Sequence, residues 1–341
     1  MATDAGRTST VRGAIITGWG AALPEKVLTN ADLEATLDTS DEWIQARTGI
    51  RQRHIGDSTS ALAIEAGRAA LDKAGVQPED IDFVLLATST PDQQIPATAS
   101  VVQHAMGITG GALDINAACS GFVYGLVAAH GLIATGLERI LLIGAETMSR
   151  MVDWEDRNTA ILFGDGAGAV VLEAVDGPGQ LLGSDLGSDG SGRHLLYADP
   201  GGFMIMDGKE VFRRAVRVTV DSTRRTLERA GLEAKDIDLA VPHQANVRIV
   251  ASACQKLGIP VEKTVTILDR TGNTSAASIP LALTDAIEAG RVHAGDAILF
   301  VGFGAGMAWA SALIRWGGVG AGSEASDGPA PPSPGDEGGT A

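Results

Sequence analysis

The sequence predicts an α/β protein built from two related halves, each a mixed β-sheet with helices, packed about a pseudo-twofold axis. Three observations carry that prediction. Residues 71–82 (LDKAGVQPEDID) and 227–238 (LERAGLEAKDID) match without a gap at six positions, Leu71, Ala74, Gly75, Asp80, Ile81 and Asp82 against Leu227, Ala230, Gly231, Asp236, Ile237 and Asp238. A weaker correspondence sets ALDIN (112–116) beside VTIL (265–268). The 341 residues are 45% hydrophobic and 20% charged, with mean hydropathy +0.13, which is core-forming, and no Pro/Gly/Ser-rich linker separates the halves.

Taken in order, each copy starts with an amphipathic helix closed by a glycine, Gly75 or Gly231, then a short loop and an apolar strand, FVLLAT or LAVPHQ. Helix, glycine, loop and strand make half of a right-handed crossover unit. ALDIN then leads through Ala118-Cys119-Ser120 into a small-residue helix and the strand ERILLIGAE. VTIL leads through Gly272-Asn273-Thr274 into the helix SAASIPLALTDAIEAG and the strand DAILFVGFG. The halves end near glycine-rich FGDGAG (163–168) and FGAG (303–306). A dinucleotide loop at Gly164-x-Gly166-x-Gly168 needs a helix directly after it, but the strand-like AVVLEAV follows. The glycines are better read as close packing at a turn between strands. The expected organisation is an N-terminal extension (1–11), a first half (12–176), a second half (177–317) and a disordered tail (318–341). Residues 322–341 hold four Pro, five Gly, three Ser and four acidic groups, with no large apolar residue.

Composition excludes several classes. With 4% aromatics, net charge −16 and pI about 4.7, a nucleic-acid reader is not expected. Cys119 and Cys254 cannot build a disulfide framework, and metal-site spacings are absent, so no metal is expected. The uncharged run Ala297–Ile314 reads as two buried strands at a glycine turn rather than a membrane span. The N-terminal sequence lacks the apolar stretch of a signal peptide, so the expectation is a cytoplasmic protein without membrane association.

Three residues stand at ends of core elements. Cys119, in NAACSGFVYGLVAAHG, follows a buried strand and opens a helix, where the helix dipole and free N–H groups favour thiolate. Buried cysteines are also common core residues, and Cys254, inside NVRIVASACQKLG, is read that way. His243 ends a strand in VPHQANVRIV, and Asn273 stands at a loop-to-helix junction in TGNTSAASIP, where an ordinary N-cap is the plainer role. Together they offer one nucleophile and two hydrogen-bond donors.

DEWIQARTGIRQRHI (41–55), DINAACSGFVYGL (114–126), DRNTAILFGDGAGAVVL (156–172), MDGKEVFRRAV (206–216), VPHQANVRIV (241–250), TGNTSAASIPLAL (271–283) and GFGAGMAW (302–309) resemble, in order, β-ketoacyl-acyl-carrier-protein synthase III of the thiolase superfamily. The resemblance covers about residues 12–316. It implies the thiolase-like duplicated fold, layered α-β-α-β-α. It also implies a decarboxylative condensation of an acyl-CoA primer with malonyl-acyl-carrier protein, initiating fatty-acid synthesis, with no cofactor.

Under that resemblance Cys119 is the nucleophile, and His243 and Asn273 hold the charge of decarboxylation. The amides of Cys119 and Ala305, or Gly306, form the oxyanion hole. Trp43, Arg47 and Arg157 match the CoA-binding positions. Arg213, Lys256 and the segment Gln244, Ala245, Asn246, Val247 and Arg248 match the carrier-docking positions. Ile95 and Phe303 fall at the acyl pocket, and Gly183–Met206 reads as a mobile flap. A homodimer is implied, with the 90–100 loop near the other subunit's pocket. The alternatives are a priming ketosynthase of a polyketide pathway, or an acyltransferase that skips decarboxylation and would not need both donors. A type III polyketide synthase lacks the DEWIQARTGIR and HQAN spacing, and a non-catalytic partner would be expected to have lost Cys119.

Overall fold

Two mixed sheets face each other across a pair of helices in the computed structural model, which describes residues 11–56 and 58–317. The tail expected at 318–341, and all of the 1–11 extension except Val11, lie outside the described residues. The strands of the first sheet are β1 (Arg12–Ala22), β2 (Phe83–Ala87), β3 (Gly111–Ile115), β4 (Arg139–Thr147) and β5 (Asp165–Asp176). Their spatial order is β1-β5-β4-β2-β3, with β4, β2 and β3 parallel and the β1–β5 and β5–β4 pairs antiparallel. The second sheet holds β6 (Leu181–Gly187), β7 (Leu239–Pro242), β8 (Ala297–Gly304) and β9 (Ala308–Arg315), in the order β7-β8-β9-β6. Its pairings repeat those of the first sheet, β7 parallel to β8 and the others antiparallel.

The helices are α1 (Asp41–Thr48), α2 (Thr59–Ala74), α3 (Thr98–Met106), α4 (Gly121–Ala134), α5 (Gly208–Ala230), α6 (Val247–Leu257) and α7 (Ser278–Glu288). α2 and α3 cover the outside of the first sheet, α4 and α7 lie between the sheets, and α5 and α6 cover the second. That is a five-layer α-β-α-β-α stack. α4 buries Phe122, Val123, Leu126, Ala129 and Ile133, as a helix with a sheet on each side must.

The repeat is visible at the level of single dihedrals. Gly75 and Gly231 both end their helices with φ +67°, a left-handed conformation that glycine adopts freely. Single 3₁₀ turns follow at Pro78–Asp80 and Ala234–Asp236, and then β2 and β7. The copies part at VTIL. Residues 265–267 do not form a strand; only an isolated bridge joins Ala240 to Thr264, and Leu268–Thr271 is a helical turn. The Gln244 side chain takes the place of a ladder, donating to Val265 O (3.2 Å) and accepting from Ile267 N (3.0 Å).

The 183–206 segment holds regular structure over much of its length. Its first residues pair in β6, and a 3₁₀ turn covers Gly190–Leu195. Arg193, Leu196, Tyr197, Ala198, Met204 and Met206, in and around the small antiparallel pair of Leu196–Tyr197 with Ile205–Met206, line the cavity described next.

Candidate active site

Cys119, His243 and Asn273, nearly buried at 9%, 7% and 7% exposure, line one cavity of about 960 Å³. Each is delivered by the end of a core element. Cys119 sits in the 3₁₀ turn Ala118–Ser120 between β3 and α4, and Ala118 takes a left-handed φ of +47°. The turn packs on β8 with no room to spare. A Cβ on Gly304 would stand 2.6 Å from Cys119 N, and one on Gly302 would stand 3.0 Å from Cys119 O. Glycine at those two positions brings the Cys119 amide against the start of Ala305–Met307, and Ala305 and Gly306 also line the cavity.

Asn273 is held by both halves. Its N–H donates to Leu162 O (2.8 Å), its carbonyl accepts from Gly164 N (3.1 Å), and a Cβ on Gly164 would lie 2.4 Å from Thr271 O. This contact accounts for the first glycine of FGDGAG. Asn273 Oδ1 accepts from Ser275 N (2.9 Å), the cap-like bond expected of an asparagine heading a turn, and its Nδ2 remains to face the cavity.

His243 follows β7, its N–H donating to Val301 O (2.8 Å). Its Nδ1 lies 2.7 Å from Ser278 Oγ, the first side chain of α7. Gln244 N–H also donates to that oxygen (3.3 Å). Gln244 N–H fills one of the two acceptor sites of that oxygen and leaves its proton to donate to Nδ1, and on that pairing we assign the imidazole proton to Nε2. Burial pushes the imidazole pKa down to about 3, so the ring is neutral near pH 7.

The thiol departs from expectation. Burial pushes Cys119 up to about 12; the Ser275 hydroxyl opposes the shift and the negative charge of Glu146 adds to it. Desolvation outweighs the helix terminus, and the resting pair is thiol and neutral imidazole rather than thiolate and imidazolium. Glu146, fully buried at the end of β4, receives Ser89 N (3.0 Å), Thr90 Oγ1 (2.5 Å) and, at 3.5 Å, Ala276 N. It ties β2's exit to the turn after Asn273. Sequence reasoning missed both Ser278 and Glu146. NTSAAS (273–278) aligns with NAACSG (116–121) at the asparagine, but Ser278 falls opposite Gly121, so the repeat carries no signal for it.

At the outer end stand Trp43 and Arg47, with the Arg47 guanidinium 4.7 Å above the indole and that of Arg157 at 5.1 Å. Arg157 also donates to Asp38 O (2.6 Å). Phe212, Met206 and Ile249 line the passage inward, and Arg248 stacks on Phe212 at 5.4 Å. Arg213, Arg248 and Lys256 are exposed, Arg213 paired with Glu210 at 2.7 Å. The QANVR segment is not a uniform docking strip. Gln244 is buried and spent on Pro242 and Val265 carbonyls. Asn246 caps α6 and donates to Arg47 O (2.9 Å), Ala245 lines the cavity, and Val247 is partly exposed.

Phe303 lines the cavity, but Ile95 does not. At 84% exposure it stands outside its own chain's pocket, because the loop after β2 projects from the surface. No cluster of three metal-ligating side chains occurs among the described residues, and no helix there is long and apolar enough to cross a membrane.

Comparison with known proteins places these features in company. Residues 113–190 match the family model described as 3-oxoacyl-[acyl-carrier-protein] synthase III, and residues 227–316 match the model of its C-terminal part. The chain is 52% identical to β-ketoacyl-[acyl-carrier-protein] synthase III of Erythrobacter litoralis, over 89% of this chain and 99% of that one. The crystal structure of 3-oxoacyl-[acyl-carrier-protein] synthase III from Aquifex aeolicus superposes with a TM-score of 0.87 at 45% identity, covering 89% of this chain and 100% of that one. The priming β-ketosynthase of the R1128 polyketide biosynthetic pathway superposes at 0.86 with 36% identity, covering 92% and 99%.

Proposed function

The chain belongs to the β-ketoacyl-acyl-carrier-protein synthase III family, and from that membership we propose how its own residues divide the condensation. Cys119 Sγ attacks the carbonyl of an acyl-CoA primer; the thioester bond to CoA breaks, and CoA leaves with the thiol proton. Malonyl-acyl-carrier protein then loses CO₂, and the electron pair of the broken C–C bond passes into the thioester enolate. His243 Nε2–H and Asn273 Nδ2–H stabilise that oxyanion. Both are neutral donors, so neither brings a charge that must first be desolvated. The carbanion attacks the acyl thioester, whose oxyanion rests on the amides of Cys119 and Ala305. Collapse frees the β-ketoacyl carrier, and one proton taken up restores the thiol.

Trp43, Arg47 and Arg157 receive the nucleotide end of CoA, by stacking and phosphate pairing. Lys209, Arg213, Arg248 and Lys256 form the cationic patch that meets an acidic carrier on a chain of net charge −16. The enzyme acts as a homodimer in the cytoplasm. Edge strand β3 with exposed Leu113 is the surface for a second copy, and Ile95 serves the partner's pocket. Initiation of fatty-acid synthesis is favoured over polyketide priming, since the identities above are 52% and 45% on one side and 36% on the other.

The observation that carries the reading is one cavity in which a buried thiol meets two donors whose other polar atoms are already bonded inside the protein. The test is intact-protein mass spectrometry after acyl-CoA addition, followed by CO₂ release from malonyl-carrier. Cys119→Ala should lose the acyl adduct. His243→Ala and Asn273→Ala should each keep it and release CO₂ roughly 100-fold more slowly. An adduct on Cys119→Ala would overturn the nucleophile, and equal loss in both steps would overturn the donor roles.

A further inference from the structure

The largest side chain fully buried among the described residues is Arg53, which does not line the cavity. It stands in the short strand Gln52–His54, paired antiparallel with Val27–Thr29. Its guanidinium forks between separate segments. Nη1 donates to Asn30 Oδ1 (2.9 Å) and Leu28 O (3.2 Å), and Nη2 donates to Ile161 O (2.8 Å). These acceptors are all neutral. Burial pushes the guanidinium pKa down to about 10, against the pull of Asp32, so the group is charged near pH 7. Taking that charge out of water is costly, and an apolar side chain of similar length would fill the space without the cost. It could not join three oxygens at once.

The bonds lead to different parts of the site. Asn30, itself buried, donates through Nδ2 to Asp41 Oδ1 (2.7 Å), and Asp41 Oδ2 accepts from Gln45 Nε2 (2.6 Å). Asp41 is the first residue of α1, which carries Trp43 and Arg47. Ile161 closes the helical turn Arg157–Ala160, whose first residue stacks on Trp43. The stem of Arg53 reaches a third part. A Cβ on Gly164 or on Gly272 would stand 3.0 Å from Arg53 Cβ. Gly272 precedes Asn273, and Gly164 N–H donates to Asn273 O. Residues 161–164 therefore meet Arg53 at Ile161 and Asn273 at Leu162 and Gly164. Just before the strand, Arg51 N–H donates to Asp269 O (2.8 Å), in the turn that leads to Asn273.

We propose that Arg53 is a positioning residue: one buried guanidinium holds the CoA-binding side chains Trp43, Arg47 and Arg157 in a common frame with the Asn273 donor. Standing outside the cavity, it acts through Asn30, Ile161 and the two glycines. The inference rests on the acyl-transfer reading above, with those residues in the roles given there.

The experiment compares acetyl-CoA with acetyl-pantetheine, which lacks the nucleotide end, on the full-length native enzyme and on Arg53→Met. Acylation of Cys119 is read by intact mass, and CO₂ release from malonyl-carrier is normalised to acyl-enzyme. In Arg53→Met the kcat/KM preference for acetyl-CoA over acetyl-pantetheine should fall about tenfold or more, since a misplacement of about 1 Å is enough for such a loss. Normalised CO₂ release should fall with it. A merely structural role would slow both thioesters alike and leave the preference native. Arg53→Lys keeps the charge but not the fork, so it should show the same pattern, and it carries the test where Arg53→Met does not fold. A native preference, or native normalised CO₂ release, in the folded variant overturns the shared frame. The native enzyme tests the underlying reading separately. No adduct from either thioester overturns acyl transfer through Cys119, and equal use of both overturns the CoA site.

Discussion

Ser278→Ala isolates the assignment of a proton. Ser278 is fully buried, and its Oγ is shared between Gln244 N (3.3 Å) and His243 Nδ1 (2.7 Å). Removing the hydroxyl leaves Nδ1 without a donor, so the tautomer carrying its proton on Nδ1 is no longer disfavoured and Nε2 can present a lone pair to the enolate. The bias lost is one net hydrogen bond, about 0.5–1.5 kcal/mol, which is a twofold to roughly tenfold loss in rate. That is well short of the roughly 100-fold expected on deleting the donor itself. Stability should fall by about 1–3 kcal/mol, because Gln244 N–H is left buried without its acceptor. The assay is CO₂ release from malonyl-carrier, normalised to acylation of Cys119 in the same preparation. A normalised rate equal to that of the native enzyme, in protein showing the expected loss of melting temperature, would refute the tautomer argument.

Gly304→Ala should cost about 1–3 kcal/mol in urea unfolding, and acylation should fall with it, since the new methyl meets Cys119 N at 2.6 Å. Native-like acylation would show that the Cys119 turn yields freely. His130, inside α4, is pushed down to about 4 by burial, and its Nε2 has no partner among the described residues. The folded state therefore holds it neutral while the unfolded chain takes a proton near pH 6.5. Its contribution is complete above that pH and is lost as pH falls from 6.5 towards 4, reaching about 2 kcal/mol at pH 5. His130→Leu should flatten the fall in urea midpoint between pH 7.5 and pH 5, and an unchanged fall would assign the acid sensitivity to other groups. Arg248→Ala should raise KM for malonyl-carrier and weaken its salt dependence while leaving kcat close to native; a salt dependence equal to the native one would remove Arg248 from the docking patch.

Much of the fold could be read in the sequence because the duplication is local: helix, left-handed glycine, 3₁₀ turn and strand recur in LDKAGVQPEDID and LERAGLEAKDID, and each step depends on near neighbours. The cavity-lining trio was legible for a related reason, since strand ends and helix starts are marked by composition. The failures all involve the third dimension. QANVR reads as a polar loop, yet Gln244 turns inward, because its amide matches two backbone groups of a segment twenty residues on. That same match removes the strand expected at VTIL. The helix start beside Cys119 is visible in the string, but β8, which desolvates the thiol, comes from nearly two hundred residues later. Ile95 is the one large apolar residue of TSTPDQQIPATAS, and nothing in that string states that the loop points away from its own pocket.

The duplication also explains why the site holds one nucleophile and one amide at matched positions. Asn116 Oδ1 accepts from Ala118 N (3.2 Å) as Asn273 Oδ1 accepts from Ser275 N (2.9 Å). Ala118 and Ser275 then take left-handed φ values of +47° and +48°, and each opens a 3₁₀ turn feeding a central helix. A side chain in that region costs of order 1 kcal/mol, and the cost recurs in both copies. The strand that presses each turn recurs as well: a Cβ on Gly302 of β8 would stand 3.0 Å from Cys119 O, and one on Gly144 of β4 would stand 2.4 Å from Ala276 O. Two residues on, the copies differ, since Gly304 on β8 lies against Cys119 N while Glu146 on β4 accepts from Ala276 N. One strained turn thus serves two ends. In the first copy the residue after the left-handed position is Cys119, and the turn presents a nucleophile. In the second that residue is Ala276, which adds no competing reactive group, and Asn273 at the head of the turn is the polar side chain that it offers to the cavity, which Asn116 also lines. The chemistry differs between the halves because the residues differ, while the backbone that aims them is the same.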